Sequence, residues 1–322
     1  MATNEPLPFP SPVRVAVVGA GNVGATFAYA LLLSGLAAEI TLMDANRAKA
    51  EGEAMDLNHA VPFSHPTKIW AGDFPDCARA SVVVLAAGAN QKPGETRVDL
   101  ISKNAAIWRQ IIPEIVKHNR NIILLIATNP VDALTYAAWK LSGLPTNRVI
   151  GSGTILDTAR FRYLLSQQFG VDARSVHAYI IGEHGDSEAP VWSRANIAGM
   201  HLKEFAVAQG QAYDPKIMDD IFRQTRDAAY RIIERKGATY YAVAAGMMRI
   251  TQAILRNQNT VLSVSSLIQD YYGISNVCLS LPTVVNRNGI EKVLRIELDQ
   301  EEVEKLRRSA NVLKDTISKL GI

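Results

Sequence analysis

The fold is decided by the stretch VVGAGNVGATFAYAL, residues 17–31, in which glycines separate an apolar run from a helix-like segment. Gly19, Gly21 and Gly24 form a G-x-G-x-x-G arrangement. After a strand and before a helix, the first glycine permits a tight turn and the second lets the backbone approach a pyrophosphate, while the third lets the helix pack on the strand. The helix N-terminus offers free N–H groups to the phosphates. The stretch therefore predicts a dinucleotide site, and Val23 is also predicted to contact the dinucleotide.

Asp44 indicates which dinucleotide this site takes. It ends the second apolar run, EITLMD, and follows Gly24 by about twenty residues. At such a position a carboxylate can accept hydrogen bonds from both ribose hydroxyls, and it repels a 2′-phosphate. The sequence predicts NAD as the cofactor rather than NADP, although Arg47 lies close enough in the chain to weaken the preference.

The rest of the first half alternates apolar runs with helical segments. RVAVV, SVVVL and NIILLI are short and rich in β-branched and aliphatic residues, which is typical of parallel strands covered on both faces. The sequence predicts an α/β fold with a Rossmann doubly wound parallel sheet at residues 14–151, followed by an α+β substrate domain at residues 152–322. We predict that SVHAYIIG, residues 175–182, is one strand of the second domain, and that residues 1–13 form a flexible tail.

Composition excludes several classes of partner. The 34 basic and 31 acidic residues leave a net charge of +3, and no Lys/Arg run is interleaved with aromatic residues, so we expect no nucleic acid partner. No segment reaches the roughly 18 apolar residues of a membrane span, so we expect no membrane partner. Two cysteines, Cys77 and Cys278, are too few for a disulfide framework and have no metal-ligand spacing. We therefore predict a cytoplasmic protein without a metal site.

Two loops are expected at the cofactor crevice, because ligands of such sheets bind beyond the carboxyl ends of the strands. GANQKPGETR follows the fourth strand, and its Gly88 and Ala89 allow close approach of the cofactor. ATNPVD follows the fifth strand, where the Asn129 amide can bond the nicotinamide or the substrate. Asn129 can equally be an ordinary turn residue, since Asn-Pro often begins a turn.

Three further segments carry candidate reacting groups. IIGEHGDSEAP sets His184 between acidic residues and glycines after an apolar run, where it either caps a turn or carries a proton. Asp157 and Arg160 lie three residues apart and share one helix face, as a surface ion pair would. Arg97 ends a loop that has almost nothing to bury, so it either folds over a ligand or remains a solvated charge. The residues alone leave these alternatives open.

The resemblance of longer motifs to those of a known family decides between these alternatives. GAGNVG, GANQKPGETR, ATNPVD, GSGTILDTARFR and IIGEHGD resemble the lactate/malate dehydrogenase family, and within it the bacterial L-lactate dehydrogenases most closely. The resemblance runs from about Arg14 to the last helical segment. It implies an oxidoreductase that uses NADH to reduce pyruvate to L-lactate reversibly, as in glycolysis and fermentation.

The resemblance also implies roles for the reacting groups. His184 is implied as the proton donor and acceptor, and Asp157 as the group that holds its other ring nitrogen. Arg160 is implied to grip the substrate carboxylate through two parallel hydrogen bonds, and Arg97 to polarise the carbonyl when the loop closes. A group that titrates near neutrality suits a reaction that runs in both directions. A planar guanidinium suits a carboxylate better than a lysine would.

Substrate choice is predicted to depend on Gln91. The malate enzymes of the family have arginine at the matching position, which pairs with the second carboxylate of oxaloacetate. A neutral Gln91 would leave that carboxylate buried without a partner, whereas the methyl group of pyruvate needs none. Thr239 matches the family's small polar residue beside the substrate. Malate and branched-chain 2-hydroxy acids are the alternative substrates, and a non-catalytic NAD-binding protein is the alternative from another class.

Arg162 and His177 are predicted to form a second, regulatory site. Arg162 follows Arg160 by two residues and so points about 200° away around the helix, while His177 lies in the strand that leads to His184. In bacterial L-lactate dehydrogenases the matching residues bind fructose 1,6-bisphosphate across a subunit interface. The resemblance therefore implies a homotetramer that this sugar phosphate activates, and two ordinary surface cations are the alternative.

We expect Gln91→Arg to shift the preference from pyruvate towards oxaloacetate, because the new guanidinium would pair with the second carboxylate. The ratio of kcat/KM for the two substrates, measured with NADH, checks this, and it should change by about 10² or more. Lys92→Arg is the matched control and should leave the ratio unchanged. A Gln91→Arg variant that kept the original preference would show that position 91 does not select the substrate.

Overall fold

A computed structural model describes residues 12–89 and 97–321 of the chain, with side chains from residue 101 onward in the second range. The predicted flexible tail lies almost entirely outside the described residues. The strands are β1 (Arg14–Val18), β2 (Glu39–Met43), β3 (Lys68–Ala71), β4 (Ala80–Leu85), β5 (Ile123–Ile126), β6 (Val149–Gly151), β7 (Val176–His177), β8 (Ile180–Ile181), β9 (Ala189–Pro190), β10 (Asn196–Ile197), β11 (Met200–His201), β12 (Thr260–Ile268), β13 (Val277–Asn286) and β14 (Gly289–Val293). The α-helices are α1 (Asn22–Ser34), α2 (Arg47–Ala60), α3 (Arg97–His118), α4 (Val131–Ser142), α5 (Ile155–Phe169), α6 (Leu202–Ala208), α7 (Pro215–Lys236), α8 (Tyr241–Leu255) and α9 (Gln300–Ser318).

One nine-stranded sheet runs through the molecule in the order β14-β13-β12-β6-β5-β4-β1-β2-β3. The first six strands of the chain are parallel, and their order 3-2-1-4-5-6 is that of a doubly wound dinucleotide-binding sheet. Two smaller sheets, β11-β10-β7 and β8-β9, belong to the second half of the chain. The predicted α/β fold is confirmed.

Helices cover both faces of the parallel strands. Phe27 and Leu31 of α1 pack with Met247 of α8 against one face. Trp108 of α3 and Leu134 of α4 pack against the other. All these side chains are almost completely buried, which is why the strands between them are continuously apolar. The carboxyl ends of the strands are left for the loops that carry the polar residues.

The second half of the chain extends the same sheet. Ser265 of β12 pairs antiparallel with Gly151 of β6, and β13 and β14 follow as antiparallel neighbours. The prediction of SVHAYIIG as one strand is wrong. It divides into β7, which pairs with β10, and β8, which pairs with β9. Between them the Ala178 carbonyl accepts a hydrogen bond from the Arg162 side chain, and the Tyr179 carbonyl accepts one from the Val191 N–H, so neither residue continues the pairing of β7 with β10.

The last helix is fixed by its first turn. Asp299 accepts a hydrogen bond from the Glu302 N–H, and the Glu302 carboxylate accepts one from the Asp299 N–H. Asp299 and Glu302 thus form a capping box at the start of α9. Glu302 is buried, and it also accepts hydrogen bonds from the amide and the hydroxyl of Ser193 at 2.9 and 2.7 Å. One carboxylate therefore ties α9 to the segment that follows β9.

No helix within residues 12–89 and 97–321 has the length and apolar character needed to span a bilayer. In the same residues, no group of three or more His, Cys, Asp or Glu side chains could hold a metal ion. Cys77 and Cys278 are both free and buried.

We expect Glu302→Gln to lower the free energy of unfolding by about 1–2 kcal/mol, because an amide cannot accept all three hydrogen bonds that the carboxylate accepts. Thermal unfolding, followed by circular dichroism, measures the change. Glu301→Gln, at the exposed neighbouring position on the same helix, is the control and should unfold close to the parent temperature. If the two variants unfolded at the same temperature, Glu302 would not anchor α9.

Candidate active site

A cavity of about 820 Å³ opens at the carboxyl ends of the parallel strands. Residues that the sequence predicts for the cofactor and the substrate line it, namely Gly19, Gly21, Val23, Asp44, Gly88 and Thr239. Gly24 lies beneath the cavity, where it lets α1 pack on β1. The cavity therefore collects residues from four separate segments of the chain.

The three glycines of the opening motif have different physical reasons to lack a side chain. Gly19 has φ of +103°, and a Cβ there would lie 2.4 Å from the Ala87 backbone nitrogen. A Cβ on Gly24 would lie 1.9 Å from the Gly19 oxygen. Nothing lies within 4 Å of a Cβ on Gly21, which faces the cavity. The motif thus leaves open space at the N-terminus of α1, and this space fits a pyrophosphate.

Asp44, the residue after β2, lies beside the glycine turn. Its two carboxylate oxygens accept hydrogen bonds from the backbone N–H groups of Ala20 and Asn46, each at 2.9 Å. Because the carboxylate lines the cavity beside the glycine turn, it can also accept from ribose hydroxyls. The charge and position of Asp44 therefore fit NAD.

Arg47, which weakens the NAD prediction at the level of sequence, is held by other groups. Its guanidinium forms ion pairs with Glu51 and Asp73, both at 3.0 Å, and donates to the Ala71 carbonyl at 2.8 Å. These partners hold the guanidinium against the turn after β3. A 2′-phosphate would have to compete with two carboxylates for it.

The two crevice loops are joined by Asn104, a residue of α3 that the sequence does not single out. Its side chain accepts a hydrogen bond from the Ala89 N–H at 2.8 Å and donates to the Asn129 carbonyl at 3.1 Å. Asn104 is almost completely buried. Its amide therefore sets the spacing between the two loops, one of which also holds Gly88.

His184, Asp157 and Arg160 come together as one cluster. The Nδ1 atom of His184 lies 2.5 Å from Asp157 Oδ2, and Arg160 donates to Asp157 Oδ1 at 3.0 Å. The Asp157 side chain is 3% exposed, the Arg160 side chain 12% and the His184 side chain 22%. The pair that the sequence places on one helix face is thus a buried ion pair rather than a surface one.

Electrostatics couple the members of this cluster. Burial alone disfavours the imidazolium, but the negative charge and hydrogen bond of Asp157 outweigh it, and the pKa of His184 rises to about 9. Burial also opposes ionisation of Asp157, yet His184 and Arg160 hold the pKa of its carboxyl below the ordinary value. The cluster therefore favours a protonated imidazole beside an ionised carboxylate.

A further acidic side chain lies in the turn that carries His184. Glu188 is buried, and no hydrogen-bond partner for its Oε1 occurs among the described residues. Burial, reinforced by the negative charge of Asp157, raises the pKa of Glu188 well above its ordinary value. Both effects oppose ionisation of the Glu188 carboxyl beside the cluster.

Arg162 and His177 lie on the opposite side of α5 from the cluster. The Arg162 Nε donates to the Ala178 carbonyl at 2.8 Å, and its guanidinium stacks 5.0 Å from the centre of the Tyr179 ring. Burial lowers the pKa of Arg162 from its ordinary value. His177 is exposed and is the residue before Ala178 in the chain.

Two predicted residues cannot be placed beside this cluster. Gln91 lies outside the described residues. Arg97 is the first residue of α3, but its side chain is not among those described. The roles given to both residues stay predictions.

The two halves of the chain match two models of one family. Residues 13–151 match the model "lactate/malate dehydrogenase, NAD binding domain", and residues 154–321 match "lactate/malate dehydrogenase, alpha/beta C-terminal domain". The chain belongs to the lactate/malate dehydrogenase family. It is an NAD-dependent oxidoreductase, and the predicted cofactor is confirmed.

Named relatives resemble the chain over nearly its whole length. It is 55% identical to the L-lactate dehydrogenase of Acetivibrio thermocellus, over 96% of this chain and 98% of that protein. It is 52% identical to the L-lactate dehydrogenase of Priestia megaterium, over 95% and 96% of the two chains. A crystal structure of a lactate dehydrogenase enzyme from a Medee basin deep-sea metagenome library matches with a TM-score of 0.93 and 44% identity, covering 96% of this chain and 99% of that chain. These matches support L-lactate dehydrogenase activity and confirm the resemblance seen in the sequence motifs.

We expect the two directions of the reaction to depend oppositely on pH if His184 carries the proton. Reduction of the keto acid needs the imidazolium, so its kcat/KM should be level at low pH and fall as pH rises through the pKa of His184. Oxidation of the hydroxy acid needs the neutral ring, so it should rise over the same range. Because the pKa of His184 is raised to about 9, both midpoints should lie above the ordinary value of 6.5. If the pH profiles of both directions had their midpoint at or below 6.5, Asp157 would not raise the pKa of His184.

Proposed function

We propose that the chain catalyses the reversible, NADH-dependent reduction of pyruvate to L-lactate. The observation that carries this proposal is the buried contact of Asp157 with both His184 and Arg160. In this proposal the contact holds His184, as the proton carrier, and Arg160, as the carboxylate-binding cation, in a fixed relation that a small keto acid requires. The names of the relatives support the choice of substrate.

Arg160 binds the substrate carboxylate in this proposal. One nitrogen of its guanidinium is engaged by Asp157, and the planar group offers further N–H donors for two parallel bonds to a carboxylate. Its side chain is largely buried, so the interaction is weakly screened by solvent. Arg160 therefore orients the keto acid relative to His184.

His184 moves the proton in this proposal. Because Asp157 lies against Nδ1, that nitrogen carries the N–H, and Nε2 is the atom that exchanges a proton with the substrate oxygen. Asp157 also stabilises the imidazolium that forms when lactate is oxidised. NADH, when bound in the cavity beside Gly21 and Asp44, supplies the hydride for the substrate carbon.

We assign the selection of substrate size and charge to residues of the crevice loops and of the cavity wall. We assign Arg97 to the polarisation of the carbonyl, and Gln91 and Thr239, with Asn129, to contacts with the substrate. Gln91 has no charge to pair with a second carboxylate, which favours pyruvate over oxaloacetate. Branched-chain 2-keto acids are the alternative substrates, because they share the features that Arg160 and His184 bind.

We further propose a homotetramer that fructose 1,6-bisphosphate activates through Arg162 and His177. Arg162 is stacked on Tyr179 and partly dehydrated, a state that favours an anionic partner. Assembly is supported by large apolar side chains that are exposed on α1, on α2 and just after it, and on α8, namely Tyr29, Leu33, Met55, Phe63 and Tyr241. Phe63 is 90% exposed, which is costly for a phenyl ring in water.

We propose that residues 14–151 and 152–322 act as the cofactor and substrate units, and that the enzyme works in the cytoplasm. Two free, buried cysteines suit a reducing compartment.

The first test is NADH oxidation with pyruvate, with oxaloacetate as the comparison, each with and without fructose 1,6-bisphosphate. We expect kcat/KM for pyruvate to exceed that for oxaloacetate by about 10² or more. The sugar phosphate should lower the half-saturation for pyruvate about fivefold or more and raise the mass measured by light scattering from dimer to tetramer.

Arg162→Gln should abolish the response to the sugar phosphate and leave the unactivated rate unchanged. Arg174→Gln is the matched control, because Arg174 is an exposed arginine paired with Asp172 near the start of β7, and it should respond like the parent. Equal activation of both variants would remove Arg162 from the regulatory site. A preference for oxaloacetate would overturn the proposed substrate.

A further inference from the structure

A second buried carboxylate contacts the backbone of His184. Asp132 stands in the first turn of α4 and is 1% exposed. Its Oδ2 accepts a hydrogen bond from the His184 backbone N–H at 2.7 Å. The bond crosses from the parallel half of the fold, which lines most of the cofactor cavity, to the turn that carries the imidazole. Its other oxygen, Oδ1, has no hydrogen-bond partner among the described residues, and a buried carboxylate is costly unless its hydrogen bonds and charge are satisfied.

Among the groups that interact with the Asp132 carboxyl, His184 is the one that can carry a positive charge. Ser265 of β12, Cys278 of β13 and Glu183 of the catalytic turn interact with its carboxyl, together with His184. Burial keeps Cys278 a neutral thiol, since it raises the pKa of that group well above the ordinary value. Protonated His184 is therefore the cation of this set.

We propose that Asp132 is a positioning residue for the reaction, which fixes the backbone of His184 relative to the cofactor cavity and adds a buried negative charge to the field at its imidazole. Asp132 does not touch the substrate in this proposal, because it acts through His184. The inference rests on the proposed role of His184 as proton carrier.

Three carboxyl groups interact with the imidazole through their charge, from α5, from α4 and from the turn that carries His184. Asp157 of α5 is ionised and shares its charge with Arg160. Burial, with the negative charge of Asp157, raises the pKa of Glu188 well above its ordinary value, which opposes its ionisation. Burial raises the pKa of Asp132 to about 6, so this group is negative above that pH. Above pH 6, the charge of Asp132 thus adds to that of Asp157 in stabilising the imidazolium.

The sign of the effect follows from this charge. When Asp132 is ionised, it favours protonated His184 and raises the pKa of the imidazole. A neutral side chain at this position should let His184 lose its proton at lower pH. The pH at which pyruvate reduction falls should therefore decrease. Below pH 6 the parent also has a neutral Asp132, so the difference should vanish there.

Asp132→Asn tests the charge, because the amide keeps the size and can still accept the bond from His184. We expect its kcat/KM for pyruvate to match that of the parent below pH 6. The alkaline fall in kcat/KM of this variant should lie roughly 0.5–1 pH unit below that of the parent. Asp132→Ala also removes the acceptor, so it should show the same early fall and, in addition, lose about tenfold or more in kcat at every pH.

Glu302→Gln is the matched control, since it also turns a buried, hydrogen-bonded carboxylate into an amide, but in α9. It should lower the unfolding temperature and leave the pH profile unchanged. Circular dichroism and NADH binding, which does not need His184, establish that each variant is folded. If Asp132→Asn does not fold, Asp132→Ala supplies the same comparison of the alkaline fall.

Two results would overturn the inference. The first is an alkaline fall in kcat/KM that occurs at the same pH in Asp132→Asn as in the parent. The second is a fall in Glu302→Gln that is shifted from that of the parent by as much as the fall in Asp132→Asn. A parent enzyme that reduces pyruvate with no alkaline fall at all would instead contradict the role of His184. The failure of the inference and the failure of the proposed function are therefore distinguishable.

Discussion

A carboxylate with 3% of its side chain exposed has to be compensated by positive charge, and Asp157 has two cations within hydrogen-bonding distance. One oxygen accepts from Arg160 and the other contacts His184. Because a single side chain holds both groups, it also sets the distance between them. A variant that lost Asp157 would release Arg160 and His184 together, so under the proposed function its effects on binding and on turnover could not be separated.

The position of this cluster depends on the continuity of the sheet. Ser265 of β12 pairs with Gly151 at the end of β6, and Ser280 of β13 exchanges two backbone hydrogen bonds with Gly182, two residues before His184. The turn that carries His184 is therefore attached to the same sheet whose other strands support the cavity. Asp132 adds a direct bond between the two halves. A shift of the antiparallel strands would move His184 relative to the cavity.

The sequence predicts well those features that depend on local pattern. The glycine turn, the parallel strands, the ends of α5 at Gly170 and of α9 at Asp299, and the shared face of Asp157 and Arg160 are all readable from short spacings. Contacts between distant segments are not, because nothing near Asn104 or Asp132 in the chain shows that they bond to loops 25 and 52 residues away. The same limit explains the wrong prediction for SVHAYIIG, whose break depends on a side chain from α5.

Charge balance connects this geometry with the choice of substrate. Under the proposed function, protonated His184 and Arg160 are offset at neutral pH by ionised Asp157 and Asp132. These two pairs of charges cancel before a ligand arrives. A monoanion such as pyruvate is balanced by one further cation, which is the role proposed for Arg97. A dicarboxylate would need a second cation, so this balance of charge selects against it.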